Sequence, residues 1–484
     1  MRVLIILSIF FSSIVVSFAQ QKWHFSNPET SKIKGAAIEA AYPLLPKTNK
    51  KIVVAVVDIG TDINHKDLKN YIWNNPREIP GNGKDDDNNG YIDDVHGWNF
   101  LGGKEEVNYE AVEETREYQQ LKMQYANADT SGKDSMYIAS YKQYLKKKKA
   151  YDREQMFRGF AAKGTVTMFR MYRDHMLVRL IAVLTAGKKL KKELEMQVRI
   201  SEMEVVYNSM NADSMRRTVV GDSPDDLTEK LYGNNNVIGP DPMHGTHVAG
   251  IITGIANGTA DSGKWLEIMV LRVVPNGDER DKDIANAIRY AVDNGASIVN
   301  MSFGKELSMH KTVVDEAVRY AQAKDVLLVH AAGNDAKRVD SVYSNNFPNP
   351  YVDSSYASNW IEVGASSKRM KKLAASFSNY GIQSVDLFAP GVNIYSTMPD
   401  NKYDYESGTS MATPIVSGIA ALLRSHYPKL SATQVKEVLM KSVTKYNHYT
   451  DMPGNSKMMI LFDVMSKSGG VINAQEAVRL ANSY

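Results

Sequence analysis

Ser410 stands in Gly408-Thr409-Ser410-Met411-Ala412-Thr413-Pro414, among small residues, where a run of apolar side chains from Ala412 to Tyr427 predicts a buried helix. A serine hydroxyl is a poor nucleophile until a base takes its proton and donors hold the oxyanion that follows. A helix N-terminus already offers free N–H groups and the positive end of a dipole. Pro414 fits a first helical turn, where its missing N–H costs little. Alone, such a serine reads equally well as a plain helix cap, so partners must decide.

Three partners have the right chemistry. His244 opens His244-Gly245-Thr246-His247-Val248-Ala249-Gly250, a polar residue ahead of small and branched apolar ones. Asp58 follows Lys51-Ile52-Val53-Val54-Ala55-Val56-Val57, a continuous apolar run expected of a parallel strand buried on both faces. That places a carboxylate at the C-terminal end of a strand, where open α/β sheets carry their sites. Asn334 ends a second such run, Val326–Ala332 followed by Gly333, and brings a side-chain amide suited to a developing negative charge. A buried carboxylate, a cap and a turn residue are the bland readings. Their coincidence argues for one acyl-transfer constellation.

With these motifs the chain resembles the subtilisin-like serine proteases, the subtilases, and the Asp…His…Ser order is theirs. The resemblance covers roughly residues 50–103 and 233 to the C-terminus. It implies Ser410 as nucleophile, His244 as general base and then acid, and Asp58 as the group that orients the imidazole. Asn334 and the Ser410 backbone N–H would form the oxyanion hole. His247 lies in the motif but reads as structural. Ser302-Phe303-Gly304 matches the strand that pairs with the substrate backbone, and with Gly333 it would wall the specificity pocket. Ile59 departs from the family, which places Ser or Thr after the aspartate. Losing a hydrogen bond to a charged group costs about 1.5–3 kcal/mol. A catalytically impaired homologue that binds through its basic segment is therefore the alternative to an active endopeptidase. An exported processing enzyme with one main target is a further one.

The remaining runs fit a doubly wound α/β sheet with helices on both faces. Strands are expected at Trp265–Val274, Ser297–Met301, Val326–Ala332 and Ile361–Ala365. Helices are expected at Asp283–Asn294, Met309–Ala323, Ala412–Tyr427 and Ala432–Ser442. Residues 104–232 match nothing in the family pattern and read as a mainly helical insertion, with helices over Glu105–Tyr125 and Tyr137–Met210 broken near Gly159, Gly164 and Gly187. Residues 142–192 carry 15 Lys/Arg against 3 Asp/Glu. They are either a solvated, internally paired arm or a surface for an acidic partner or anionic surface.

Residues 1–19 have the basic start, apolar core and small-x-small end of a signal peptide, which predicts export to the periplasm or the exterior. Residues 20–49 would be a short packed arm, with no prodomain of the usual kind. The chain has no cysteine, so disulfides are excluded. The partners expected are peptide or protein substrates, with no nucleic acid and no membrane span in the mature chain.

A second constellation, Gly81 to Asp94, sets Asp85, Asp87 and Asn89 at alternate positions ahead of Gly90, with Asp93 following. This is the first part of an EF-hand-like loop, whose oxygen donors suit structural calcium, although His96 stands where the closing Glu belongs. The resemblance adds Asp67 and Asn257 as candidates for the common family calcium site.

Overall fold

The computed structural model describes residues 22–47, 49–102, 113–128, 133–149, 151–152, 216–217, 220–340 and 346–484. The expected signal peptide and most of the basic stretch 142–192 lie outside these residues, as do Gly159, Gly164 and Gly187. The chain divides into two units, one of residues 1–106, 220–274 and 279–484, the other of residues 107–219 and 275–278.

The first unit is built on a nine-stranded sheet. Its strands are Ile52–Asp58 (β1), Gly97–Asn99 (β2), Leu266–Arg272 (β3), Ala296–Met301 (β4), Leu327–Ala331 (β5), Trp360–Ser366 (β6), Leu387–Pro390 (β7), Thr444–Lys445 (β8) and Gly470–Val471 (β9). They lie in the order β8-β9-β7-β6-β5-β4-β1-β3-β2. Neighbours are parallel apart from β8 and β9. From β1 the chain builds β2 and β3 on one side and then crosses to β4 on the other. The end of β1 is therefore the topological switch point, where a cleft opens beyond the strand ends. Asp58 is the last residue of that strand.

The continuous apolar run of β1 now has its reason. Alternate residues point to opposite faces. Val54 and Val56 pack with Ile268, Val270, Ile252 and Ile255 on one side. Ala55 and Val57 pack with Met269, Leu271, Ile284 and Ile288 on the other. Each fully buried Val or Ile contributes about 1.5–3 kcal/mol, so neither face tolerates a polar residue before Asp58.

Helices cover both faces: Met243–Asn257 (α1), Asp281–Asp293 (α2), Lys311–Ala323 (α3), Thr409–His426 (α4), Ala432–Lys441 (α5) and Ala474–Ala481 (α6). Helix α4 begins at Thr409, three residues before the expected start, because Asn334 Oδ1 takes up the Thr409 N–H at 2.9 Å. Ser410 thus lies inside the first turn, and Pro414 lies within the helix. The arm before β1 joins the same core: Trp23 is buried, and its Nε1 donates to the Val392 and Asn393 carbonyls at 3.1 and 3.2 Å. Residues 220–232, read as insertion from the sequence, group with this first unit, where Tyr232 is buried and donates to Asp283 at 2.7 Å.

In the second unit a helix over Glu113–Tyr125 packs on a helical stretch at 135–149 through buried Tyr118, Tyr125 and Tyr144. Tyr118 stacks on Tyr151 with ring centroids 4.4 Å apart. Lys147 pairs with Glu117 at 2.8 Å and Lys148 with Asp152 at 2.6 Å.

Candidate active site

Asp58 is almost wholly buried, and both its oxygens face one imidazole. His244 Nδ1 lies 2.8 Å from Oδ1 and 2.9 Å from Oδ2. Helix α1 supplies the histidine from its first turn, and its side chain is partly exposed. The Ile59 N–H donates to Asp58 Oδ1 at 2.8 Å. That backbone donor does not depend on the side chain, and Ile59 adds no side-chain donor to it. Arg272, opposite Asp58 in the β1–β3 register, is buried and donates to the Ile59 and Asn236 carbonyls at 2.9 and 2.8 Å. Burial pulls its pKa down to about 10.

Burial alone would disfavour a charged His244. The Asp58 charge and its hydrogen bond, with a smaller push from Glu406, outweigh it and hold the pKa above the ordinary 6.5. His247, one turn on, goes the other way: it is fully buried, and burial pushes it down to about 4. Its Nε2 lies 3.0 Å from the Ile394 carbonyl and 3.3 Å from that of Asp404, the contacts of a neutral structural histidine.

Ser410 is held by its neighbour across the cleft. Its Oγ donates to the Ser302 carbonyl at 2.9 Å, and Ser302 Oγ donates to the Ser410 carbonyl at 3.1 Å. The second bond has a cause in α4. Pro414 has no N–H, so the carbonyl four residues before it lacks its helical donor. That carbonyl belongs to Ser410. No hydrogen bond joins Ser410 to His244 in this resting arrangement of the described residues.

Asn334 is fixed in orientation. Its Oδ1 accepts from the Thr409 N–H at 2.9 Å and the Thr409 hydroxyl at 3.0 Å, which leaves Nδ2 free to donate elsewhere. A methyl group built on Gly408 would sit 3.7 Å from Asn334 Nδ2 and 3.6 Å from the Ser410 nitrogen. Both nitrogens thus border the space that glycine leaves open. Gly408 therefore borders both nitrogens, a position not evident from the sequence motif alone.

The expected pocket walls come together as well. Ser302, Phe303 and Gly304 follow β4, and Gly333 follows β5, its neighbour in the sheet. Phe303 turns inward, its ring edge-on to His330 at 6.2 Å. Beside Gly304 and Gly333 lies Asn346 Oδ1, which a Cβ on either would approach to 2.5 and 3.4 Å. Asn346 Nδ2 is tied to the Ala331 carbonyl and to buried Glu362. Sequence spacing gave no sign of Asn346.

The acidic loop is arranged differently from its sequence pattern. Asp85 accepts the Asn89 and Gly90 N–H groups, and Asp93 accepts those of Asn82 and Gly83. Asn89 Oδ1 accepts the Tyr91 N–H, and its Nδ2 donates to Asp94. Asp87 instead groups with Glu78 and Asp94, two residues the pattern did not mark. Burial raises the pKa of both Glu78 and Asp94. The other two calcium candidates are engaged separately: Asp67 accepts the Tyr403 hydroxyl at 2.6 Å, and Asn257 that of Tyr71 at 3.3 Å.

A mostly parallel sheet covered by helices on both faces, with the Asp58–His244 pair at its switch point, is an α/β fold of the subtilisin-like class. The subtilase family model matches residues 49–457, and the chain belongs to that family. It is 44% identical over 193 residues to a thermophilic serine proteinase of Bacillus sp. (strain AK1), a match covering 38% of this chain and 44% of that protein. To thermitase of Thermoactinomyces vulgaris it is 35% identical over 230 residues, covering 46% of this chain and 76% of the other. The first two curated relatives are matched over about half their length, 44% and 55%. Among solved structures, a cold adapted subtilisin-like serine proteinase shares 28% identity, with a TM-score of 0.38 over 48% of this chain and 74% of that one.

Proposed function

We propose that this chain is an exported serine endopeptidase acting through Asp58, His244 and Ser410. The observation that carries the reading is the imidazole of His244 held by both Asp58 oxygens, with Ser410 in the first turn of helix α4 and Asn334 Nδ2 and the Ser410 nitrogen both bordering Gly408. Ser410 Oγ attacks the scissile carbonyl while its proton passes to His244 Nε2. The oxyanion forms between Asn334 and the Ser410 N–H. His244 then protonates the leaving amine, and an acyl-enzyme remains. Water, deprotonated by the same imidazole, attacks the acyl carbon and frees Ser410. Asp58 accepts the His244 Nδ1–H and stabilises the imidazolium.

Peptide substrates would lie along Ser302-Phe303-Gly304, with a side chain between that segment and Gly333. The apolar-rich N-terminal segment supports export. The acid-rich loop supports stabilisation by calcium. The impaired-homologue reading stays the alternative, since the Ile59 N–H bond to Asp58 is one that any non-proline residue at 59 supplies and no side-chain hydroxyl is added to it. Recruitment of an acidic partner gains no support, because the described lysines of 142–192 include two paired with Glu117 and Asp152.

Fluorophosphonate labelling of the purified protein beside its Ser410→Ala variant tests the catalytic assignment. Labelling that disappears with Ser410 is expected. A folded protein that never labels would move the binding reading to first place.

A further inference from the structure

We propose that Glu78, Asp87 and Asp94 hold a calcium ion that fastens the loop before β2 to helix α2. The proposal deepens the calcium reading above and is independent of the catalytic one. Each of the three carboxylates brings an oxygen within 4.8 Å of the other two. Glu78 is 7% exposed and Asp94 fully buried. Like charges at that separation, with little water between them, repel strongly. The donors around them are mostly neutral. Asn75 Nδ2 is shared between Asp87 at 3.1 Å and Asp94 at 2.9 Å, and Tyr290 of α2 donates to Asp94 at 2.5 Å. Arg77 pairs with Asp87 at 3.0 Å from a largely exposed position.

The decisive feature is Glu78. Its Oε1 accepts the N–H groups of Asp86 and Asp87 at 2.9 and 3.3 Å, which fixes the side chain under the loop. Its Oε2 is buried and has no hydrogen-bond partner among the described residues. A buried acceptor without a donor carries its full desolvation penalty. A cation removes that penalty and the repulsion together.

The donor set identifies the ion. All three ligands are carboxylate oxygens, with no imidazole or thiolate to favour zinc or copper. Calcium binds six to eight oxygens at 2.3–2.6 Å, so oxygens around it lie up to about 5 Å apart. The spread of the three carboxylates matches that sphere. Asp85 and Asp93, the ligands the sequence pattern favours, accept loop N–H groups and lie outside this three-carboxylate group. The ion would join Glu78, at the loop's start, to Asp94, three residues before β2 and bonded to Tyr290.

Calcium titration calorimetry and thermal melting of the full chain in a Ser410→Ala background test this, because neither readout depends on turnover. Calcium should raise the melting temperature by on the order of 5 °C. Glu78→Gln should remove one binding site, or weaken it at least tenfold, and abolish most of the rise. With chelator present, Glu78→Gln should melt no lower than its parent, because one repelling charge has gone. Asp85→Asn should keep the site. Calcium binding by Glu78→Gln equal to that of the parent, or loss of the site in Asp85→Asn alone, overturns the assignment. So does a parent protein with native circular dichroism that neither binds calcium nor melts higher with it. Asp94→Asn gives a second reading on the same site should one variant fold poorly.

Discussion

Ser302 and Ser410 exchange hydrogen bonds: each side-chain hydroxyl donates to the other's carbonyl, at 3.1 and 2.9 Å. The Ser302 donor fills the vacancy that Pro414 creates in helix α4. Ser302→Ala should therefore lower kcat/KM by about three- to tenfold, the worth of one hydrogen bond. Pro414→Ala restores the helical donor to the same carbonyl. The double variant should then lose less than the sum of the singles. Strictly additive losses in a kinetic double-mutant cycle would show that the two residues do not share this carbonyl.

Gly408 gives a sharper test. Its backbone is extended (φ 168), so alanine fits conformationally, and a methyl there meets no atom closer than 3.6 Å. Yet that methyl occupies the space between Asn334 Nδ2 and the Ser410 N–H. Gly408→Ala should fold and melt like its parent and lose about 10²–10³ in kcat, as much as removal of an oxyanion donor. Nearly full activity in that variant would place the oxyanion elsewhere.

Thr409 orients the Asn334 amide through its N–H and its hydroxyl. Thr409→Val removes the hydroxyl donor and keeps the backbone one, so a loss of about tenfold in kcat with little change in KM is expected. Thr409→Ser should restore most of it. Equal loss in both variants would point to packing and not to the hydroxyl.

The pH dependence of kcat/KM follows from His244. Its base form is the active one, and Asp58 holds its pKa above 6.5. Activity should therefore rise through a limb lying above pH 6.5. Asp58→Asn should shift that limb downward and reduce the plateau rate. A limb that stays in place in Asp58→Asn would assign the titration to another group.

Acid stability should depend on two other histidines. His24 and His247 are buried and neutral, with pKa values lowered by burial to about 3 and about 4. The unfolded chain protonates them near 6.5, so it binds more protons than the native state below that value. Stability is then lost as pH falls from 6.5, by on the order of 3 kcal/mol for each at pH 4. Urea midpoints of the Ser410→Ala protein between pH 7 and 4 measure this. A flat profile would mean that these imidazoles are protonated in the native state.

Much of the site was legible before the structure because its chemistry sits in short contiguous motifs. Asp58 closes an apolar strand and His244 opens an apolar helix, and both placements recur in the fold. Gly408 and Thr409 were read only as small neighbours, since their roles exist only once β5 brings Asn334 alongside α4. Glu78 and Asp94 were missed for a related reason. The alternating pattern Asp85, Asp87, Asn89 is visible in sequence, but only the folded loop brings Glu78 and Asp94 to Asp87. Asn346 was likewise silent until the folded chain brought it beside Gly304.

The sequence by itself determined the family, the order of the catalytic residues and the two-faced burial of β1, because apolar periodicity and short motifs are local properties of the chain. Tertiary structure decided which polar atoms remain available. Hydrogen-bond capacity is shared among groups far apart in sequence, so an oxygen is free for an oxyanion, a proton or a cation only after the fold has assigned the others.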